Sequence, residues 1–218
     1  EGLISHRKHN LKGIVNGVDY SVWNPGKDTQ IPVQYNQRSL IHKMENKRAL
    51  QEHFGLPVDN SRPLFAVISR LVEQKGIDLI LEIVPELVAR DAQLVILGSG
   101  DPLIESAVGQ ACAEWPQHIA AFLGYNEALA HHIEAGADIF LMPSRFEPCG
   151  LNQIYSHRYC TIPIVRHTGG LADTGTDTTP ETLENRTATG FSFTATSAAA
   201  LLAAVTRALQ YYRDPDTW

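Results

Sequence analysis

The chain has 218 residues, 44% of them hydrophobic, and a formal net charge of −6, enough apolar material for one sizeable core in one globular unit. A negative balance without any basic run excludes a nucleic-acid scaffold, which needs clustered positive surface to hold phosphates. Cys112, Cys149 and Cys160 form neither a disulfide framework nor a CxxC metal spacing. With no apolar run of the roughly 18 residues a membrane span needs and no signal-like start, the expected compartment is the cytoplasm, with no membrane partner.

In chain order, Glu1 and the stretch Leu3-Ile4-Ser5-His6-Arg7 have the character of a protein interior, so the chain is expected to be a fragment. Gly13 to Asp19 has the composition of a strand and turn. Tyr20 to Leu40 is polar, contains proline and has no period, which predicts an ordered loop or linker. Lys43 to Phe54 is a predicted helix ended by Gly55 at the C′ position.

From Leu64 onward, short continuous apolar runs alternate with longer helical periods, the pattern of βα units on a buried parallel sheet. Predicted strands are Leu64 to Ile68, Gln93 to Leu97, His118 to Leu123, Asp138 to Met142 and Ile162 to Val165. Predicted helices are Ile77 to Arg90, kinked by Pro85, then Pro102 to Glu114, Glu127 to Ala135, Leu151 to Tyr159, and Ala198 to Arg213 capped by Ser197. The fold class is α/β, a single Rossmann-like doubly wound parallel sheet, in which ligands bind at the carboxyl ends of the strands.

Four loops follow strands. Ser69 to Gly76 carries Arg70 and Lys75, a planar fork and a point charge that suit a diphosphate, or else two solvated surface charges. Gly98-Ser99-Gly100-Asp101-Pro102 lets backbone approach a ligand closely, or is a plain tight turn; Leu103 stands where a dinucleotide fingerprint needs its third glycine, which disfavours an NAD-dependent oxidoreductase. Pro143 to Gln153 presents Glu147 and then opens a helix, whose free N–H groups at Gly150, Leu151 and Asn152 point at an anion; Glu147 is either part of that site or an ordinary cap. Arg166 to Asp173 contains the pair Gly169-Gly170, with a flexible turn as the alternative.

These residues carry a resemblance. Asn16-Gly17-Val18-Asp19 with Trp23-Asn24-Pro25, Ser69-Arg70-Leu71 with Gln74-Lys75-Gly76, Pro143 to Gln153, and Pro163-Ile164-Val165-Arg166 with Thr168-Gly169-Gly170-Leu171 together resemble the bacterial glycogen synthase and plant starch synthase family, in order and over nearly the whole chain. The resemblance implies the C-terminal half of a GT-B type glycosyltransferase, with residues 1–60 an interdomain segment and 61–218 the nucleotide-sugar-binding domain. The N-terminal acceptor domain and the final helical segment of the family are expected to lie outside the chain.

The implied activity is transfer of glucose from ADP-glucose to an α-1,4-glucan with retention of configuration, with no cofactor and no metal. Arg70 and Lys75 would hold the diphosphate and offset its developing charge, and Glu147 would engage the donor glucose. Gly150, Leu151 and Asn152 would meet glucose and phosphate, and Tyr125 would stack on adenine unless it packs on the core instead. The other implied substrate-binding positions are Gly98, Gly100, Cys149, Thr168, Gly169 and Gly170.

Three positions depart from the family pattern: Tyr155 where related enzymes carry a second glutamate, Cys160 where glycine is usual, and Gly175 where a branched apolar residue is usual. Cys160 is expected to take a left-handed conformation. None of the nine histidines has a metal spacing, and the neighbours His131 and His132 point to different sides of their helix. The reading from another class is a sugar-nucleotide or glucan binding module without catalysis.

Overall fold

The computed structural model describes residues 2–214. The chain opens with a short helix α1 (Gly2–His6) and one 3-10 turn, Lys8–Asn10. The strand expected within 13–19 does not form: residues 11–19 have no regular structure and lie almost wholly in solvent. A strand needs a partner for its backbone groups, and among the described residues no strand or bridge pairs with this segment.

Tyr20 to Leu40 is ordered, as expected, because its few large side chains are anchored. Trp23 stacks between His131 (centroids 3.8 Å apart) and Tyr155 (4.0 Å). The Asp28 carboxylate accepts hydrogen bonds from His131 Nδ1 at 2.6 Å and the Tyr159 hydroxyl at 2.5 Å, and the Tyr35 hydroxyl donates to the Tyr159 carbonyl at 2.7 Å. His131 is thus a buried packing residue, whereas His132 faces His53 on the neighbouring helix. Helix α2 (Lys43–Phe54) ends where expected, with Gly55 left-handed at φ 68°.

Then come β1 (Leu64–Ile68), α3 (Ile77–Glu82), α4 (Val84–Ala89), β2 (Gln93–Gly98), α5 (Pro102–Glu114), β3 (Ile119–Leu123), α6 (Glu127–Gly136), β4 (Ile139–Met142), α7 (Leu151–Arg158), β5 (Ile162–Arg166), α8 (Gly169–Asp173), α9 (Pro180–Glu184), β6 (Phe191–Phe193) and α10 (Ala198–Tyr212). The one helix expected over 77–90 is two. Pro85 sits in the first turn of α4, where its missing N–H costs nothing, and the chain turns at Ile83. Asp101, Asn126 and Ser197 cap α5, α6 and α10, each accepting from a backbone N–H of the first turn.

All six strands are parallel, in the order β3-β2-β1-β4-β5-β6. Alternation along each strand sends its side chains to two cores. Phe65, Val67, Leu94, Ile96, Ile139, Leu141 and Ile164 face α3, α4, α5 and α10. Leu64, Ala66, Val95, Leu97, Phe140, Met142 and Val165 face α2, α6 and α8. With both faces covered, the central strands bury nearly every residue, which is why they appear in the sequence as near-continuous apolar runs. Full burial of each such side chain contributes about 1.5–3 kcal/mol.

The order has one consequence for function. The chain builds outward from β1 to β3, then returns to place β4 on the other side of β1. The loops leaving β1 and β4 therefore diverge to opposite sides and leave a crevice between them at the carboxyl end of the sheet.

Candidate active-site cleft

The crevice is a cleft of about 290 Å³ lined by Arg70 and Lys75 from the β1 loop and by Ser144, Glu147, Cys149 and the start of α7 from the β4 loop. Seven of the predicted site residues share this wall: Arg70, Lys75, Glu147, Cys149, Gly150, Leu151 and Asn152. They come from segments some 70 residues apart in sequence, brought together by the β1–β4 pairing.

Lys75 ends a 3-10 turn, Glu73–Lys75, that the sequence pattern did not announce. Its ammonium forms an ion pair with Glu147 Oε2, and both side chains are mostly buried, at 19% and 15% exposure. The Ser144 hydroxyl donates to the same carboxylate oxygen at 3.3 Å. Glu147 is therefore not a helix cap. Arg70 is exposed, its guanidinium 3.5 Å from Gln74 Oε1, which leaves most of its donors facing solvent and the cleft.

Helix α7 has Gly150 at its N-cap position, left-handed at φ 77° and ψ 50°, with no side-chain cap. Its first N–H groups are thus available to an anion, and the helix dipole favours negative charge there. The Asn152 amide donates to the Ile68 carbonyl at 2.7 Å, tying this helix start to the end of β1. Two cations, one carboxylate and an uncapped helix N-terminus are a set that can hold a polyanion and offer an acceptor to a neutral polar group beside it.

The paired glycines act differently from a direct contact. A Cβ on Gly98 would lie 1.8 Å from the Ser69 carbonyl oxygen, and one on Gly100 would lie 2.4 Å from that of Leu71. Leu71 and Gly100 form a parallel bridge. What approaches these glycines is the cation-bearing loop itself, so they sit behind the wall, not on it. Likewise, a Cβ on Gly169 would meet the Glu147 carbonyl oxygen at 2.1 Å, one on Gly170 would meet that of Cys149 at 2.3 Å, and Gly170 N–H donates to Glu147 O at 2.9 Å. These two glycines, which begin α8 after Thr168, back the Glu147 loop.

Tyr125 stands after β3 at 86% exposure, its hydroxyl 3.3 Å from Glu127. It does not pack on the core, and it lies outside the cleft wall.

Sequence reasoning gave no role to the side chains that hold the two loops together. Arg145 makes a forked pair with Asp78 (2.8 and 2.7 Å) and also donates to the Glu73 carbonyl at 2.6 Å. That pairing holds the Asp78 carboxyl below its usual range and raises Arg145 further. Arg166, at the end of β5, donates to the Ser144 carbonyl at 2.8 Å and to that of Arg145. Both arginines were visible within loop motifs, but their acceptors lie more than 20 residues away, beyond any local pattern.

Among the described residues, no three His, Cys, Asp or Glu side chains are grouped to hold a metal ion, and no helix is long and apolar enough to cross a membrane.

Comparison with known proteins agrees with this geometry. Residues 48–217 match the family described as Glycosyl transferases group 1. The chain is 50% identical along its full length to a glycogen synthase of Thioalkalivibrio sulfidiphilus and to one of Cellvibrio japonicus, covering 45% of each. It thus spans about half the length of the curated relatives it matches. Among solved structures, the catalytic domain of starch synthase IV from Arabidopsis thaliana, bound to ADP and acarbose, superposes on 98% of the chain with a TM-score of 0.92 at 36% identity, the chain covering 44% of that protein. The Rossmann-like half of a GT-B fold, expected from the motifs, is what the six-stranded sheet and this neighbour display. From a family match that begins inside α2, takes in all six strands and runs past α10, it follows that this chain belongs to the glycosyl transferases group 1 family.

Proposed function

We propose that the chain is the donor-nucleotide domain of a glycogen or starch synthase, transferring glucose from ADP-glucose to the non-reducing end of an α-1,4-glucan with retention of configuration. The observation that carries this reading is the convergence of Arg70, Lys75 and Glu147 on one cleft at the topological switch point, beside the uncapped start of α7.

In this reading Arg70 and Lys75 take the diphosphate, and the N–H groups at Gly150 and Leu151 meet a phosphate or sugar oxygen. As the glycosidic bond breaks, negative charge grows on the departing ADP, and fixed cations in a half-buried cleft stabilise it. Glu147, already held by Lys75 and Ser144, accepts hydrogen bonds from donor-glucose hydroxyls. Tyr125, exposed after β3, offers its ring to adenine. The glucan would be held mainly by a separate acceptor domain, and a cytoplasmic setting goes with a soluble sugar-nucleotide donor.

The test is calorimetric titration of the chain and three variants with ADP and with adenosine. Loss of one charge-assisted contact costs about 1.5–3 kcal/mol, so Arg70→Ala and Lys75→Ala should each weaken ADP binding by roughly one to two orders of magnitude while leaving adenosine unaffected. Glu147→Ala should retain ADP affinity or improve it, because it frees Lys75 from a competing carboxylate. Unchanged ADP affinity in folded Arg70→Ala and Lys75→Ala would show two solvated surface charges and remove the donor site from this cleft.

A further inference from the structure

Lys75 and Glu147 belong to different loops, and nothing in either loop alone fixes their separation. Backbone contact occurs at two points: Gly76, left-handed at φ 70°, passes so close to Pro143 that a Cβ would lie 2.3 Å from its carbonyl oxygen, and the main-chain N–H of Arg145 donates to Gln74 O at 2.8 Å. The remaining ties come from side chains. The Gln74 Nε2 amide donates to Phe146 O at 3.1 Å. The Arg145 guanidinium reaches across to Glu73 O and forks onto Asp78.

Those two acceptors bracket Lys75 in sequence, one on each side. Arg145 itself stands two residues before Glu147, and its own carbonyl is held by Arg166 from β5. A forked guanidinium–carboxylate pair fixes orientation as well as distance, which a lysine's single ammonium does not. At 30% side-chain exposure, with its acceptors away from the cleft wall, Arg145 is placed to hold the loops and not to touch a ligand.

We infer that Arg145, through Asp78 and the Glu73 carbonyl, is a positioning residue that sets Lys75 against Glu147 and so determines how tightly the cleft holds a nucleoside diphosphate. The inference rests on the donor-site reading above. Misplacing a binding group by about 1 Å is enough to cost up to two orders of magnitude in function.

The experiment is titration of folded Arg145→Met, Arg145→Lys, Asp78→Asn and the double variant Arg145→Met/Asp78→Asn with ADP and adenosine, with Lys75→Ala as reference. Arg145→Met should weaken ADP binding about tenfold and leave adenosine unchanged, a split that a general loss of stability does not produce. Arg145→Lys should recover part of the affinity. Asp78→Asn should weaken ADP by itself and add little to Arg145→Met, because both break one bond. If Lys75→Ala weakens ADP but Arg145→Met and Asp78→Asn do not, the loops hold their places without this pair and the inference fails. Should Arg145→Met not fold, Asp78→Asn, a change at a partly exposed side chain, decides the matter alone. If Lys75→Ala leaves ADP affinity unchanged, the donor-site reading falls and takes the inference with it.

Discussion

Glu134 offers a test of how the fold treats a buried acid. It lies on α6 with no exposed surface, one carboxyl oxygen 3.0 Å from the Ser156 hydroxyl and the other without a hydrogen-bond partner. Desolvation pushes its pKa up to about 8, against smaller opposing effects of the Ser156 hydrogen bond and of Lys43. Ser156 has one hydrogen and two acceptors in reach, Glu134 and the Asn152 carbonyl at 2.8 Å. A proton on Glu134 satisfies both, since Glu134 then donates to Ser156 and Ser156 to Asn152.

The sign follows from linkage. The unfolded chain loses this proton near 4.5 while the folded chain keeps it until about 8, so stability is fully present below the unfolded value and is lost as pH rises through that window. At about 1.4 kcal/mol per pH unit, the loss reaches about 3 kcal/mol at pH 7. Glu134→Gln has no proton to lose. The variant and the parent should match within about 1 kcal/mol near pH 4.5, and the variant should be more stable by about 3 kcal/mol at pH 7. Urea denaturation of both proteins across this range, at constant ionic strength, measures the difference; titration of Lys43, Tyr35 and Tyr159 is common to both and largely cancels. A difference that does not change with pH would mean that Glu134 is ionised in the fold and paired with Lys43, refuting the desolvation argument.

Three backbone predictions are simpler. Cys160 follows α7 at φ 54° and is exposed, so Cys160→Gly should raise stability by about 0.5–1 kcal/mol, read from the urea midpoint. Gly169→Ala should lower stability by about 1–3 kcal/mol, because its Cβ would strike the Glu147 carbonyl in a left-handed conformation. By contrast Gly109→Ala, inside α5 with nothing within 4 Å of its Cβ, should stabilise by about 0.5–1 kcal/mol. Equal midpoints for the two alanine variants would show that the Glu147 loop yields freely.

Most of the secondary structure was legible in the sequence because it is written in local burial. The runs that start at Leu64, Gln93, Asp138 and Ile162 are apolar in all, or all but the first, of their residues, since both faces of a central strand are covered, and Pro102 to Glu114 carries its period within its own span, with its cap Asp101 directly before it. β6 escaped notice because Phe191-Ser192-Phe193 shows only three residues of alternation, too few to separate a strand from a loop. Gly13 to Asp19 misled for the opposite reason: its composition suits a strand, but strand formation needs a neighbour, and the sequence around it does not say that none arrives.

The cleft divides along the same line. Charge type and the strand-to-helix transition, which are local properties, identified Arg70, Lys75 and the start of α7 as groups suited to an anion, whereas a sugar beside Glu147 was implied only by the resemblance of the motifs to a family. Only the tertiary structure decided that they face one another, because the meeting of residues 69–76 with 143–152 depends on β4 returning to pair with β1. It also decided that Gly98, Gly100, Gly169 and Gly170 make room for backbone behind the wall, and that Arg145 and Arg166 hold the loops together. Pairing between distant segments is a contest among all possible neighbours, settled by the summed burial of two cores and not by the residues at any one position.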